Sequence, residues 1–535
     1  MSFLIDEMVG QRLLLAFKGK ERIPEEFVEA LRRYKPAGIT LFRPFNVDTP
    51  AQVRRLTAML QETARAIGLP PFLIAADQEG GQLMAIGEGT TQLPGNMALG
   101  ATGDPELARA AGEVLGTELR AMGINVNYAP CCDVNINPRN PVIGIRSFGE
   151  DPQQVSMMAA AMVEGIQSRG VAACAKHFPG HGDTAGDSHH GLPTLPHDLD
   201  RLQRVELPPF RAAVAVGAKL VMTGHLALPA IDGADAPPAT LSAGVLEGLL
   251  REQIGFQGVI VTDAMDMHAI PQGAALGQNA VRAVEAGADL LLVMSEPADQ
   301  KCIFDALIEA AARSPSTQED YQPSLERIAA LKRWLASQPP APGLDVIGSL
   351  PHQAIADEIA QRSITLVCDE TRLLPLRLGA DARVAAVVPR PADLTPADTS
   401  SHVAPTLAAS LREFHPRVDE IVVSSLPTEA EIAGLIQQVR GYDLIVMGTL
   451  NASSQPGQSA LANAVLKTGI PTVVVAMRLP YDLTALPSAK TYVCTYSVLE
   501  PSMHALARAL FGANAFEGKL PVSIPGLYSI GFGLV

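Results

Sequence analysis

Positive charge is in short supply in this chain. Lysine and arginine number 41 against 56 aspartates and glutamates, leaving a formal net charge of −15. Phosphate backbones and anionic lipids are bound by clustered basic side chains, so neither nucleic acid nor a membrane surface is an expected partner. Cysteine is sparse too. Cys131, Cys132, Cys174, Cys302, Cys368 and Cys494 include no CxxC pair, and most sit in apolar runs such as VAACAKHF. A disulfide framework is therefore not expected in so large a core, and the residues read as buried thiols of a reducing compartment. No stretch reaches the ~18 uninterrupted apolar residues that a membrane span requires. The opening MSFLIDEMVGQRLLLAFKGK carries Asp6 and Glu7 and no basic region ahead of an apolar core, so a signal peptide is not expected. The expected location is cytoplasmic. Leu4, Met8, Leu13 and Leu14 have the spacing of an amphipathic helix.

Hydrophobic residues make up 47% of the 535, which suits a well-buried enzyme of two or three domains. Seven apolar runs punctuate the first 300 residues: 37–42, 72–77, 124–134, 171–178, 218–225, 258–265 and 288–294. Continuous Val/Ile/Leu/Ala runs mark strands buried on both faces, as in a parallel sheet. Helical segments alternate with them. Those at 104–123 and 151–170 each open with Asp-Pro and close on Gly, a cap followed by proline and a common stop. Such units predict a (β/α)8 TIM-like barrel over 1–340, with one irregular or missing element; a doubly wound sheet is the alternative. Asp77, Asp133, Lys176 with His177, His225 and Asp263 fall at or just past strand ends, which a barrel would gather at one mouth. Pro, Gly and Ser enrich 337–353, and a linker is drawn at 341–358. Six further runs between 363 and 497 predict an αβα three-layer sandwich over 359–535, without a GxGxxG or GxxxxGK(S/T) loop to mark a nucleotide site.

The densest polar segment is KHFPGHGDTAGDSHHGLPTL (176–195), with four of the chain's 11 histidines in residues 177–190. A solvated loop, a metal cluster or a catalytic loop would each account for it, although Pro179 and the glycines deny it a helical His-x3-His pair. Asp187 lies two residues from His189. A carboxylate there can fix the imidazole tautomer and free the other ring nitrogen for proton exchange. In GFQGVIVTDAMDM (255–267), Asp263 stands where the apolar run breaks, as a helix cap, an ion-pair half or a functional group, with Asp266 a competitor. DQEGGQL (77–83) offers Asp77 as a hydroxyl acceptor beside two glycines. NPRNPVIGIRSFGEDP (137–152) offers Arg146, a ligand or a structural partner of Asp133 or Glu150.

Taken together, KHFPGHGDT…DSHHGLP, DQEGG, NPxNPVIGxRSFGxDP and VTDAMDM resemble glycoside hydrolase family 3, and within it the bacterial β-N-acetylglucosaminidases of peptidoglycan turnover. The likeness is strong over about 1–340 and weaker beyond, where GKLPVSIP (518–525) is its main feature. It implies a barrel followed by an αβα domain, with Asp263 as nucleophile and Asp187 with His189 as the acid/base pair. It also implies Asp77, Arg146, Lys176 and His177 as holders of the terminal sugar. The implied reaction releases β-linked N-acetylglucosamine from a small carbohydrate through a covalent glycosyl-enzyme, with no cofactor and no metal, in a monomer or homodimer. Phosphorolysis and β-glucosidase activity are the alternatives. There is one departure: many members follow DQEGG with Arg and carry a second Arg three residues later, where this chain has Gln82 and Ala85. Two charged contacts near the sugar are thus expected to be missing.

Overall fold

The computed structural model describes residues 5–313, 315–404 and 406–535, with the side chains of 315–320 left out. The apolar runs of the first half form parallel strands. They are β1 (Leu13–Leu15), β2 (Gly38–Thr40), β3 (Leu73–Ala76), β4 (Val126–Asn127), β5 (Ala172–Phe178), β6 (Leu220–Thr223), β7 (Val259–Thr262) and β8 (Leu291–Val293). Their order is β8-β1-β2-β3-β4-β5-β6-β7, and a parallel bridge from Val261 to Leu290 brings the two ends together. This is the TIM-like barrel.

Seven of these strands lie in the runs read from the sequence; β1 was expected to be helix. The helix spans only Ile5–Gly10, and Leu4 lies outside the described residues. Leu13, Leu14 and Leu15 are all buried between β8 and β2, an environment that favours strand over continued helix. Gly10, at the helix end, lets the Tyr34 backbone approach closely, because a Cβ there would lie 1.8 Å from the Tyr34 carbonyl oxygen.

The two Asp-Pro helices begin as expected. Asp104 accepts from the Glu106 N–H ahead of Pro105–Ala121, and Asp151 accepts from the Gln153 N–H ahead of Pro152–Ser168. They pack against each other through glycine: a Cβ on Gly165 would stand 2.2 Å from the Arg109 carbonyl.

The segment drawn as a linker is ordered helix from residue 350 onward. Leu350–Ser363 packs on the barrel helices, and the Glu118 carboxylate holds both the Gly348 N–H and His352 Nδ1 at 2.9 Å. Beyond it lies a six-stranded sheet made of β9 (Thr365–Asp369), β10 (Val384–Pro389), β11 (Val418–Val423), β12 (Leu444–Thr449), β13 (Thr472–Ala476) and β14 (Thr491–Cys494). Its order is β9-β14-β13-β12-β10-β11, parallel except for the β9–β14 pair. Among the described residues, no helix is long and apolar enough to cross a membrane.

Candidate active site

At the carboxyl end of the barrel a cavity of about 430 Å³ is lined by Asp77, Arg146, Lys176, His177, His189 and Asp263. Six of the seven site residues expected from the sequence meet there. The seventh, Asp187, stands behind His189.

The floor is built on buried charge. Lys176 Nζ lies 2.6 Å from Asp77 Oδ1 and 2.6 Å from Glu79 Oε1. Arg146 grips Glu79 with Nη2 at 2.8 Å and Nε at 3.1 Å. Burial opposes ionisation of Glu79, but the two cations outweigh it and bring its pKa down to about 2. Lys176 is likewise held charged: desolvation acts against the ammonium, and Asp77 and Glu79 overcome it. Glu79 is not marked by the sequence, although it sits inside DQEGG; it takes the structural pairing that the sequence offers for Arg146, beside a ligand role, with Asp133 or Glu150.

Asp133 serves His177 instead. Its carboxylate takes His177 Nδ1 at 2.8 Å and the His181 N–H at 2.6 Å. With Nδ1–H donated to Asp133, Nε2 of His177 is left as the acceptor toward the cavity, 3.4 Å from Arg146 Nη2. Asp133 and His225 do not line the cavity; they brace it. Buried His225 contacts the Thr240 hydroxyl at 2.7 Å and the Ala264 carbonyl at 3.0 Å, which fixes the backbone next to Asp263.

Asp263 directly follows β7. Burial works to raise its pKa, but the His225, His177 and His189 imidazoles and the Ala264 N–H prevail and hold it below the ordinary aspartate value. Its competitor behaves oppositely. Burial, reinforced by Asp299 and Asp263, lifts Asp266 to about 6.

His189 sits on the loop after β5. Asp187 Oδ1 meets its Nδ1 at 2.6 Å and its backbone N–H at 2.9 Å. Desolvation presses the Asp187 carboxyl upward, yet its bonds to His189 hold it ionised below the ordinary value. The loop is anchored by His181, whose ring contacts the Thr184 hydroxyl at 2.6 Å and the Ser188 hydroxyl at 3.2 Å. Burial takes His181 down to about 4, so it is neutral there.

Among the described residues, two clusters have metal-like spacing, and both are otherwise committed. In Cys131–Asp133–His177, burial keeps the thiol protonated and Asp133 is held by two histidines. In Asp183–His197–Glu206, the Arg201 guanidinium already bonds Asp183 at 2.9 Å and Glu206 at 3.1 Å.

Gln82 departs from expectation. It does not line the cavity but stands behind its wall and faces the second domain, where its Nε2 donates to the Ala397 carbonyl at 3.0 Å. Ala85 does line the cavity, and so do Asp393, Thr399 and His402 of the second domain.

The Glycosyl hydrolase family 3 N terminal domain matches residues 4–331, and the family's C-terminal domain matches 364–529. The chain belongs to glycosyl hydrolase family 3. It is similar to the Beta-hexosaminidase A of Pseudoalteromonas piscicida, with 32% identity over 97% of this chain and 96% of that protein. It is 30% identical to a Beta-N-acetylglucosaminidase/beta-glucosidase of Cellulomonas fimi, over 97% of this chain and 93% of that protein. Among solved structures, the family 3 β-N-acetylglucosaminidase of Paenibacillus sp. str. FPU-7 superposes with a TM-score of 0.90 at 39% identity, covering 97% of this chain and 99% of that one.

Proposed function

We propose that this family 3 enzyme is a retaining glycoside hydrolase that releases terminal β-linked N-acetylglucosamine from chito-oligosaccharides or cell-wall muropeptides. The observation that carries the reading is the pairing of an ionised Asp263 with a His189–Asp187 dyad at one cavity. The names of the similar β-hexosaminidases support the sugar.

Asp263 attacks the anomeric carbon. The bond to the leaving oxygen breaks as His189 gives that oxygen a proton, and Asp187 stabilises the imidazolium before the transfer. Water then attacks the glycosyl-aspartate; His189 takes its proton, and the carboxylate leaves. Two inversions retain the β configuration. Asp77, Lys176, Arg146 and His177 hold the terminal sugar with charges already compensated by Glu79 and Asp133, so binding requires no new buried ion pair. The setting is cytoplasmic in this reading, a view supported by six free cysteines.

The test is hydrolysis of 4-nitrophenyl β-N-acetylglucosaminide by the wild type and by Asp263→Asn, with and without phosphate. Turnover lost in the variant and indifferent to phosphate is expected. Sugar 1-phosphate as product would make the enzyme a phosphorylase, and a preference for the matched glucoside would make it a β-glucosidase.

A further inference from the structure

Among the described residues, the second domain reaches the cavity through one short segment. Asp393, Pro396, Ala397, Thr399 and His402 of this segment line it, facing a floor made of barrel residues. A second cavity of about 340 Å³ shares Arg43, Thr399 and His402 with the first and runs on to Glu88 and Glu500. The two form a cleft along the seam between the domains.

The segment is held by a buried lock. Asp398 binds its own chain, taking the Leu394 N–H at 3.1 Å, the Ser400 N–H at 2.9 Å and the Ser400 hydroxyl at 2.6 Å. Arg478, in the loop after β13, donates from Nη1 to Asp398 Oδ2 at 2.7 Å. The other arm of Arg478, Nη2, donates to the Gln82 side-chain oxygen of the barrel. The circuit closes where Gln82 donates to the Ala397 carbonyl and its own carbonyl accepts from Thr399 N at 2.8 Å. Arg478 and Asp398 are 5% and 4% exposed, so this ion pair is shielded from solvent screening.

We propose that Arg478 is a positioning residue for the leaving-group half of the site, fixing residues 393–402 as the wall against which an oligosaccharide leaving group lies. The inference rests on the hydrolase reading above. A terminal sugar held by the floor leaves its aglycone pointing out of the barrel, into the cleft that this wall bounds. The bidentate fork of Arg478 suits the task, because one planar group ties the wall to the barrel in a fixed orientation. Arg478 itself does not line the cavity; it acts through Asp398 and Gln82.

The test compares two substrates: N-acetylglucosaminyl fluoride, whose leaving group is one atom, and tri-N-acetylchitotriose, whose leaving group is a disaccharide. For Arg478→Gln, kcat/KM on chitotriose is expected to fall at least tenfold more than on the fluoride, with the difference carried by KM. Arg478→Lys should restore part of it. Gln82→Met cuts the same lock without stranding a charge and should shift the ratio the same way if Arg478→Gln fails to fold. An equal fall on both substrates, or no change on either, overturns the proposal. A wild type inert on both overturns the hydrolase reading beneath it, whereas an active wild type with unshifted variants sinks this inference alone.

Discussion

Glu79 takes the Arg146 guanidinium on both carboxylate oxygens, at 2.8 Å and 3.1 Å. The pair is almost wholly buried, and Lys176 shares it. Glu79→Gln strands the buried Arg146 cation and leaves Lys176 with Asp77 as its one carboxylate, and should cost about 3–5 kcal/mol of stability at neutral pH. Burial disfavours the Glu79 anion, but Arg146 and Lys176 lower its pKa from 4.5 to about 2. A folded-state value below the unfolded one means the contribution is complete above pH 4.5 and disappears as the pH falls toward 2. Urea unfolding across that window should bring the wild-type and variant curves together. Curves that stay parallel would show that the carboxylate is not what stabilises the floor.

Asp266 predicts the opposite sign. Burial raises it from 3.8 to about 6, so its stability deficit is absent below the lower value and grows as pH rises through the higher. Asp266→Asn should therefore gain stability at pH 8 and not at pH 3. The gain is on the order of 1 kcal/mol once solvent screening of a partly exposed group is allowed for. The same variant should keep far more activity than Asp263→Asn, which is expected to lose on the order of 10⁴-fold in kcat. Comparable losses in the two would reopen the choice of nucleophile.

The barrel was legible because strands buried on both faces write themselves as apolar runs. Three-residue β1 was not, since three leucines after a short amphipathic stretch carry no period of their own. The mouth residues Asp77, Lys176, His177 and Asp263 were legible from their places at strand ends. Glu79 was not, because nothing local ties it to Arg146 or Lys176; only barrel closure brings them together. The wall at 393–402 was hidden for the same reason. Gln82 read as a missing sugar contact, when its role depends on Arg478, 396 residues further along.

Azide separates the two chemical roles. It is a small nucleophile that can occupy the space vacated by either side chain. With Asp263→Ala it should attack the substrate itself, opposite the leaving group, and give the α-glycosyl azide. With His189→Ala the glycosyl-aspartate still forms from activated substrates, and azide should trap it as the β-glycosyl azide. Chromatography of the anomers reads the result. One anomer from both variants would refute the assignment of roles.

Asp187 is the residue whose effect depends on the substrate. Its bond to His189 Nδ1 at 2.6 Å sets the tautomer and stabilises the protonated ring. Asp187→Asn removes the charge while keeping the shape. The penalty should follow the leaving group's need for a proton. A sugar alcohol requires full protonation, so kcat/KM on chitobiose should drop about 10²–10⁴-fold, the range of general acid catalysis. Dinitrophenolate departs unaided, so the first step on that glycoside should change little. Rates over a graded series of aryl leaving groups should then show a steeper dependence on leaving-group pKa in the variant than in the wild type. A uniform loss across the series would mean that Asp187 only holds the loop in place and does not tune the acid.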